Sequence, residues 1–193
     1  MRELILASGS SRRHSLINKL NLEYRVSAPN IDEGVMNGET PTKYVCRMAR
    51  NKALAVFEMC ATNQVVLAAD TIISLHEEII GKPENIQHAK NILQKLSAVE
   101  HEVLTALCLK TLDDEYEVMV ATRVKFRQLT IGEIDAYCST DEPYDKAGAY
   151  AIQGLASSFV EYISGSYTNV IGLPLSDLCR LLKQSNLYNF DDV

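Results

Sequence analysis

VVLAADTIISL (residues 65–75) is a near-continuous apolar run of strand type that carries a single charge, Asp70. It leads into HEEIIGKP (76–83), where Gly81 and Pro83 mark a hairpin or turn. On its N-terminal side, Thr40-Pro41 opens a long helix running to about Cys60, since proline suits the first helical turn. Ahead of that lie a strand at 4–8, a helix at 12–20 with Leu16, Ile17 and Leu20 on one face, and a strand at 24–28 ended by Pro29. The intervening NIDEGVMNGET (30–40) reads as a loop. On the C-terminal side, Ile86, Ala89, Ile92, Leu93 and Leu96 space a helix over 84–96. Two long strands, 101–112 and 115–129, follow, joined by Asp113-Asp114 and therefore antiparallel. A helix near 131–139, the glycine-containing AGAYAIQG (147–154), a strand at about 158–163 and a last helix begun by Pro174 complete the chain. The mixture implies an α/β fold with a partly antiparallel sheet, unlike a regular doubly wound chain.

The 193 residues suit one domain spanning 1–193 with a substantial core. A net charge of −6 argues against holding duplex nucleic acid by bulk electrostatics, so any anion must meet a local positive cluster. The five cysteines are odd in number, widely spaced and free of any CxxC pair, which reads as reduced thiols of a cytoplasmic protein. The four histidines form no metal-binding pair, so a metal would take oxygen ligands and be Mg²⁺ or Mn²⁺. No run is long enough for a signal peptide or a membrane span, and no membrane partner is expected.

Three places break the pattern. Alternation puts Asp70 on one face with Val66, Ala68 and Ile72, where an ionised carboxylate needs a cation or several donors. It is either a functional acid at a strand's end or a cap on a turn. Lys52 continues the apolar ladder Val45, Met48, Lys52, Val56, so it points either into a site or along apolar surface with its head in water. LASGSSRR (6–13) offers helix-start amides, hydroxyls and two guanidinium groups. That is an anion site, or a serine cap followed by solvated arginines; it is not a Walker P-loop. With Asp32, Glu33 and Lys82, these groups make up the inventory of a metal-dependent phosphoanhydride hydrolase.

Read in order, LASGSSRR (6–13), DEG (32–34), YVCRMARNKA (44–53), AADT (68–71), GKP (81–83), DEPYDKAGAYAIQG (141–154) and GSYTNVIGLP (165–174) resemble the Maf family of nucleoside triphosphate pyrophosphatases. The resemblance spans nearly the whole chain. It implies an elongated mixed β-sheet flanked by helices, in two lobes with a central cleft, similar to the inosine triphosphate pyrophosphatases. It also implies a divalent cation, cleavage between the α and β phosphates, and a homodimer. Carried onto this chain, the family's acids fall on Asp70, as proton acceptor and metal-associated carboxylate, and on Glu33, as a second metal partner. Its lysines fall on Lys52 and Lys82, and its phosphate-gripping segment on Ser8, Arg12 and Arg13. Positions tied to a dTTP and UTP preference fall on Arg12, Thr71 and Gln153. A carboxamide suits a uracil or thymine edge, because it donates to a ring carbonyl and accepts from a ring N–H. Ser11 departs from the proline common in relatives, and the acidic tail NFDDV (189–193) has no readable function. The rival expectations are a broader pyrophosphatase of modified nucleotides, such as 5-methyl-UTP, pseudo-UTP or ITP, and a nucleotide-binding regulator of cell division with little turnover.

Overall fold

The computed structural model describes residues 3–60 and 63–187; the NFDDV tail lies outside the described residues. Seven strands form one mixed sheet: β1 (Glu3–Ala7), β2 (Tyr24–Val26), β3 (Gln64–Leu75), β4 (Glu78–Ile80), β5 (Glu100–Lys110), β6 (Glu115–Phe126) and β7 (Val160–Ser164). The flanking helices are α1 (Ser11–Ile17), α2 (Pro41–Phe57), α3 (Ile86–Leu96), α4 (Ile131–Cys138), α5 (Tyr167–Ile171) and α6 (Leu175–Gln184). The strand order is β2-β1-β3-β5-β6-β7, with β4 paired to β3 beside that path. β1 runs parallel to β2 and β3, whereas the β3–β5, β5–β6 and β6–β7 pairs are antiparallel.

β3 organises the molecule. β5 lines one of its edges from Val66 to Ser74. The other edge is shared: β1 pairs with Gln64 to Ala68, and β4 with Ile73 to Leu75. Between those partners Ala69, Asp70, Thr71 and Ile72 have no neighbouring strand on that edge. The gap opens where the chain leaves the carboxyl end of β1, the place where open α/β sheets bind ligands.

Side-chain alternation along β3 gives each face its own core. Val66, Ala68 and Ile72 pack with Ile5 and Ala7 against Val45, Met48, Ala49 and Ala53 of α2. Val65, Leu67 and Ala69 face the other way, onto Leu16 and Ile17 of α1 and Leu178, Leu181 and Leu182 of α6. Past the gap, Ile73 and Leu75 join a third cluster with Leu93 and Leu96 of α3, Ile134 of α4 and Phe126. Each such buried leucine or phenylalanine contributes about 1.5–3 kcal/mol relative to exposure. The cores therefore hold the unpaired residues of β3 in place from both ends. Among the described residues, no helix is long and apolar enough to cross a membrane.

Several elements differ from the sequence reading. The β3–β4 hairpin turns at His76-Glu77 (φ 50° and 65°), not at Gly81 or Pro83, which follow β4. A two-residue turn with both central residues left-handed normally announces itself with asparagine or glycine, and neither is present. β5 and β6 are shorter than expected because Thr111 N–H bonds Asp114 C=O in the turn and Arg127 N–H leaves the ladder for Phe159 C=O. Residues 155–159 form a 3₁₀ turn, so the strand begins at Val160. α5 leaves no mark in the sequence, because five residues are too few to show a period.

Candidate active site

A cleft of about 660 Å³ opens at the gap in β3. Ser8, Arg12, Arg13, Glu33, Lys52, Asp70, Thr71, Lys82 and Gln153 all line it, whereas Asp32, the other acid of the loop, does not and accepts from Gly34 N–H (2.8 Å). They come from separate elements: the β1–α1 turn, the first turn of α1, the loop before α2, α2 itself, β3, the segment after β4, and the stretch preceding the 155–159 turn.

On the α2 side, Lys52 meets both acids. Its Nζ donates to Asp70 Oδ1 at 2.6 Å and lies 2.7 Å from Glu33 Oε1. Lys52 and Asp70 side chains are each only 11% exposed, so each charge relies on its partner. The two apolar ladders explain the meeting. Asp70 lies on the face of β3 that packs on α2, and Lys52 lies on the stripe of α2 that packs on β3. Glu33 reaches them from a loop stitched to α2. Tyr44 Oη donates to Glu33 C=O (2.9 Å), and Arg47 donates to Gly34 C=O (2.8 Å). Arg47 also grips Glu39 through two parallel bonds of 2.6 Å. Partial burial alone pushes the Glu33 carboxyl up, but Lys52's hydrogen bond and charge, with Lys82 and Arg13, hold it below the ordinary carboxylate range. Burial, with Asp70 and Glu33 nearby, pushes the Tyr44 hydroxyl up to about 12.

On the opposite face Arg13 is held in a relay whose direction is determined by its acceptors. Its Nε donates to Gly172 C=O (2.9 Å), Nη1 to Ser8 Oγ (3.3 Å) and Nη2 to Thr71 Oγ1 (3.0 Å). Thr71 Oγ1 lies 3.0 Å from Thr105 Oγ1, and Thr105 donates its only proton to Asn169 C=O at 3.2 Å. Thr71 must therefore donate to Thr105, which leaves its oxygen to accept from Arg13. Three of the five guanidinium N–H groups are used, and the other two are available to an anion. Burial lowers the Arg13 pKa, opposed by the charge of Asp70; an arginine remains a cation under such conditions.

The cleft's mouth is more open. Arg12 donates to Asp145 Oδ2 (3.1 Å) and Asp145 C=O (3.4 Å), joining α1 to the segment before Gly148. Lys82 and Gln153 are exposed and make no hydrogen bond within the described residues. Ser10 caps α1 without a side-chain bond, so the first-turn amides keep no cap of their own. Asp145, Lys146, Tyr44 and Thr105 belong to this arrangement and were not singled out from sequence. Thr105 gives the same signal as Asp70, a polar residue inside a buried strand; Asp145 and Lys146 give none, since loop residues have no period to break, and Tyr44 gives none because an aromatic ring on the buried side of α2 reads as core.

Asp70 and Glu33 bring hard oxygen donors to one spot beside the open cleft, a donor set that suits magnesium or manganese when phosphate oxygens complete the shell. The group of three metal-ligating side chains that converge among the described residues is elsewhere: Cys108, Glu115 and Glu117. Its carboxylates already face Arg50 and Lys110.

Comparison with known proteins bears on this cleft. The family described as Maf-like protein matches residues 3–185. A dTTP/UTP pyrophosphatase of Pseudoalteromonas atlantica is 43% identical over 187 residues, covering 95% of this chain and 97% of the relative. Another from Anaeromyxobacter dehalogenans is 46% identical over 186 residues, covering 94% and 93%. Among solved structures, the Staphylococcus aureus Ham1 protein aligns over 95% of this chain and all of its own, with TM-score 0.53 and 14% identity, a likeness of fold.

Proposed function

This chain belongs to the Maf family, and we propose that it hydrolyses dTTP and UTP to the nucleoside monophosphate and pyrophosphate. The observation that carries the reading is the convergence of Lys52 with Asp70 and Glu33 inside a cleft that also presents Arg12, Arg13 and Lys82. Relatives bearing that activity in their names match almost end to end, which supports the substrate class.

In this reading the triphosphate lies across the gap in β3. The free N–H groups of Arg13, with Arg12 and Lys82, hold the β and γ phosphates and stabilise the charge that builds on departing pyrophosphate. Lys52 occupies only Oδ1 of Asp70, and Oδ2 accepts a proton from the water that attacks the α-phosphorus. Asp70 and Glu33 would hold a divalent cation, which supplies charge neutralisation on the phosphate oxygens. Gln153 reads the base edge with its carboxamide. Thr71 gives its proton to Thr105 and accepts from Arg13, so it aims Arg13 and keeps one acceptor lone pair for a ligand in the cleft.

The test is pyrophosphate release from dTTP, UTP, CTP, 7-methyl-GTP and ITP, with and without Mg²⁺. Turnover of dTTP and UTP well above the rest, and only with metal, is expected. Broad turnover across the panel would favour a general clearing enzyme, and tight binding without turnover a regulator.

A further inference from the structure

Gln153 is exposed at the cleft, and a free carboxamide is a poor discriminator. Its terminal torsion is broad, and turning it over exchanges donor and acceptor, so it can satisfy uracil or cytosine alike. Selectivity needs a frame that holds the backbone beneath it. The residue after Gln153, Gly154, stands at the N-cap of the 155–159 turn and has no side chain to cap it. Glu142 caps it from outside. Its Oε2 accepts from Leu155 N–H (2.9 Å), and its Oε1 accepts from Ala156 N–H (3.3 Å) and from Tyr137 O–H (3.0 Å). The approach is so close that a Cβ on Gly154 would stand 2.3 Å from the carboxylate. Glycine thus leaves room for the carboxylate, which a Cβ would displace from its seat.

The same residue reaches the other end of the cleft's mouth. Glu142 C=O accepts from Lys146 Nζ (2.6 Å), Lys146 pairs with Asp145, and Asp145 pairs with Arg12. Glu142 itself does not line the cleft. We infer that Glu142 is a positioning residue for base selectivity: its carboxylate pins the backbone that carries Gln153, and its carbonyl ties that backbone to the Arg12 side of the mouth. This inference rests on the dTTP/UTP reading above and adds a determinant that acts without touching substrate. Turnover depends on Asp70, Lys52 and Glu33, which are mounted on β3, α2 and the loop before it, so discrimination and chemistry should separate.

The experiment measures kcat/KM for UTP, CTP and ITP in the wild type, Glu142→Gln and Gly154→Ala, with thermal melts to confirm folding. Glu142→Gln keeps the shape but turns one of two acceptor oxygens into a donor facing N–H groups; Gly154→Ala displaces the intact carboxylate from those same N–H groups. In both, the UTP-to-CTP ratio of kcat/KM is expected to fall about tenfold, the cost of losing one charge-assisted hydrogen bond, with kcat for CTP changed by no more than about threefold. A ratio preserved in a folded variant overturns the inference, and so does a parallel loss on all three substrates, which is what mere structural damage gives. If one variant fails to fold, the other decides by the same criterion. A wild type with no preference for UTP overturns the substrate reading and this one with it; a preference that survives both substitutions overturns this one alone.

Discussion

Lys52 sits between two acids, and that makes the roles of the three side chains separable. Replacing Asp70 by Asn leaves Lys52 paired with Glu33, so the fold should persist. Turnover of UTP should fall by about 10²–10⁴, the contribution of a positioned proton acceptor. Lys52→Met is a different case. It strands Asp70, which is 8% exposed, as a buried carboxylate without its cation, and the expected loss is about 3–5 kcal/mol in urea unfolding. Combining Lys52→Met with Asp70→Asn removes the stranded charge, so most of that stability should return while activity stays lost. Failure of the double variant to recover would mean the pair matters for packing more than for charge. His101 offers a residue-scale test of stability against pH. It is 1% exposed, hydrogen-bonded to Tyr150 Oη at 2.9 Å and packed edge-on against Phe126. Burial lowers its pKa from 6.5 to about 4. The unfolded chain therefore takes up this proton before the folded one does. Its contribution is fully present above pH 6.5 and is lost as the pH falls toward about 4. Melting temperatures across that window should decline in the wild type and decline less in His101→Gln, which removes the titrating ring.

At the scale of elements, the glycine before Ala149 ties two parts of the site together. Gly148 has φ +71°, and a Cβ there would stand 2.1 Å from Ile73 Cδ1; its N–H bonds Gly81 C=O (2.9 Å), beside Lys82. Gly148→Ala should cost about 1–3 kcal/mol in thermal unfolding from left-handed strain and overpacking, and should raise KM by moving Lys82. Gly132→Ala in α4 meets nothing within 4 Å, and should instead stabilise by about 0.4–1 kcal/mol through the unfolded state. If the two substitutions behaved alike, the close contact at Gly148 would not be what demands glycine. This contrast also shows how much of the fold was legible in advance. The long strands show as apolar runs between turn residues, α2 by its Thr40-Pro41 start and α3 by its spacing, and the two polar breaks, Asp70 and Lys52, show because a charge inside an apolar ladder is visible in sequence. The turn at His76-Glu77 was not, since its residue types do not match its backbone angles. Neither were Glu142 and Asp145, whose roles lie in contacts between loops and leave no spacing behind. Gln153 follows only from family resemblance, whereas Lys82 enters as one more cation of the inventory; being exposed, both interrupt no pattern.

Across the whole molecule, the sheet's change from parallel to antiparallel pairing along β3 creates the gap, and the separate cores on either side of it hold the walls in place. The acids in that gap are already matched within the protein, Asp70 and Glu33 by Lys52 and Asp145 by Arg12. Removing divalent metal with a chelator should therefore abolish UTP turnover yet leave the melting temperature of the nucleotide-free protein unchanged; a large drop would point to a structural metal. The proposed hydrolysis needs this cleft to direct water at the α-phosphorus of a nucleoside triphosphate. The most direct measurement is UTP turnover in heavy-oxygen water, with the products separated and weighed by mass spectrometry. UMP carrying the label, beside unlabelled pyrophosphate, is the expected result. Label in the pyrophosphate, or release of orthophosphate as the first product, would contradict it.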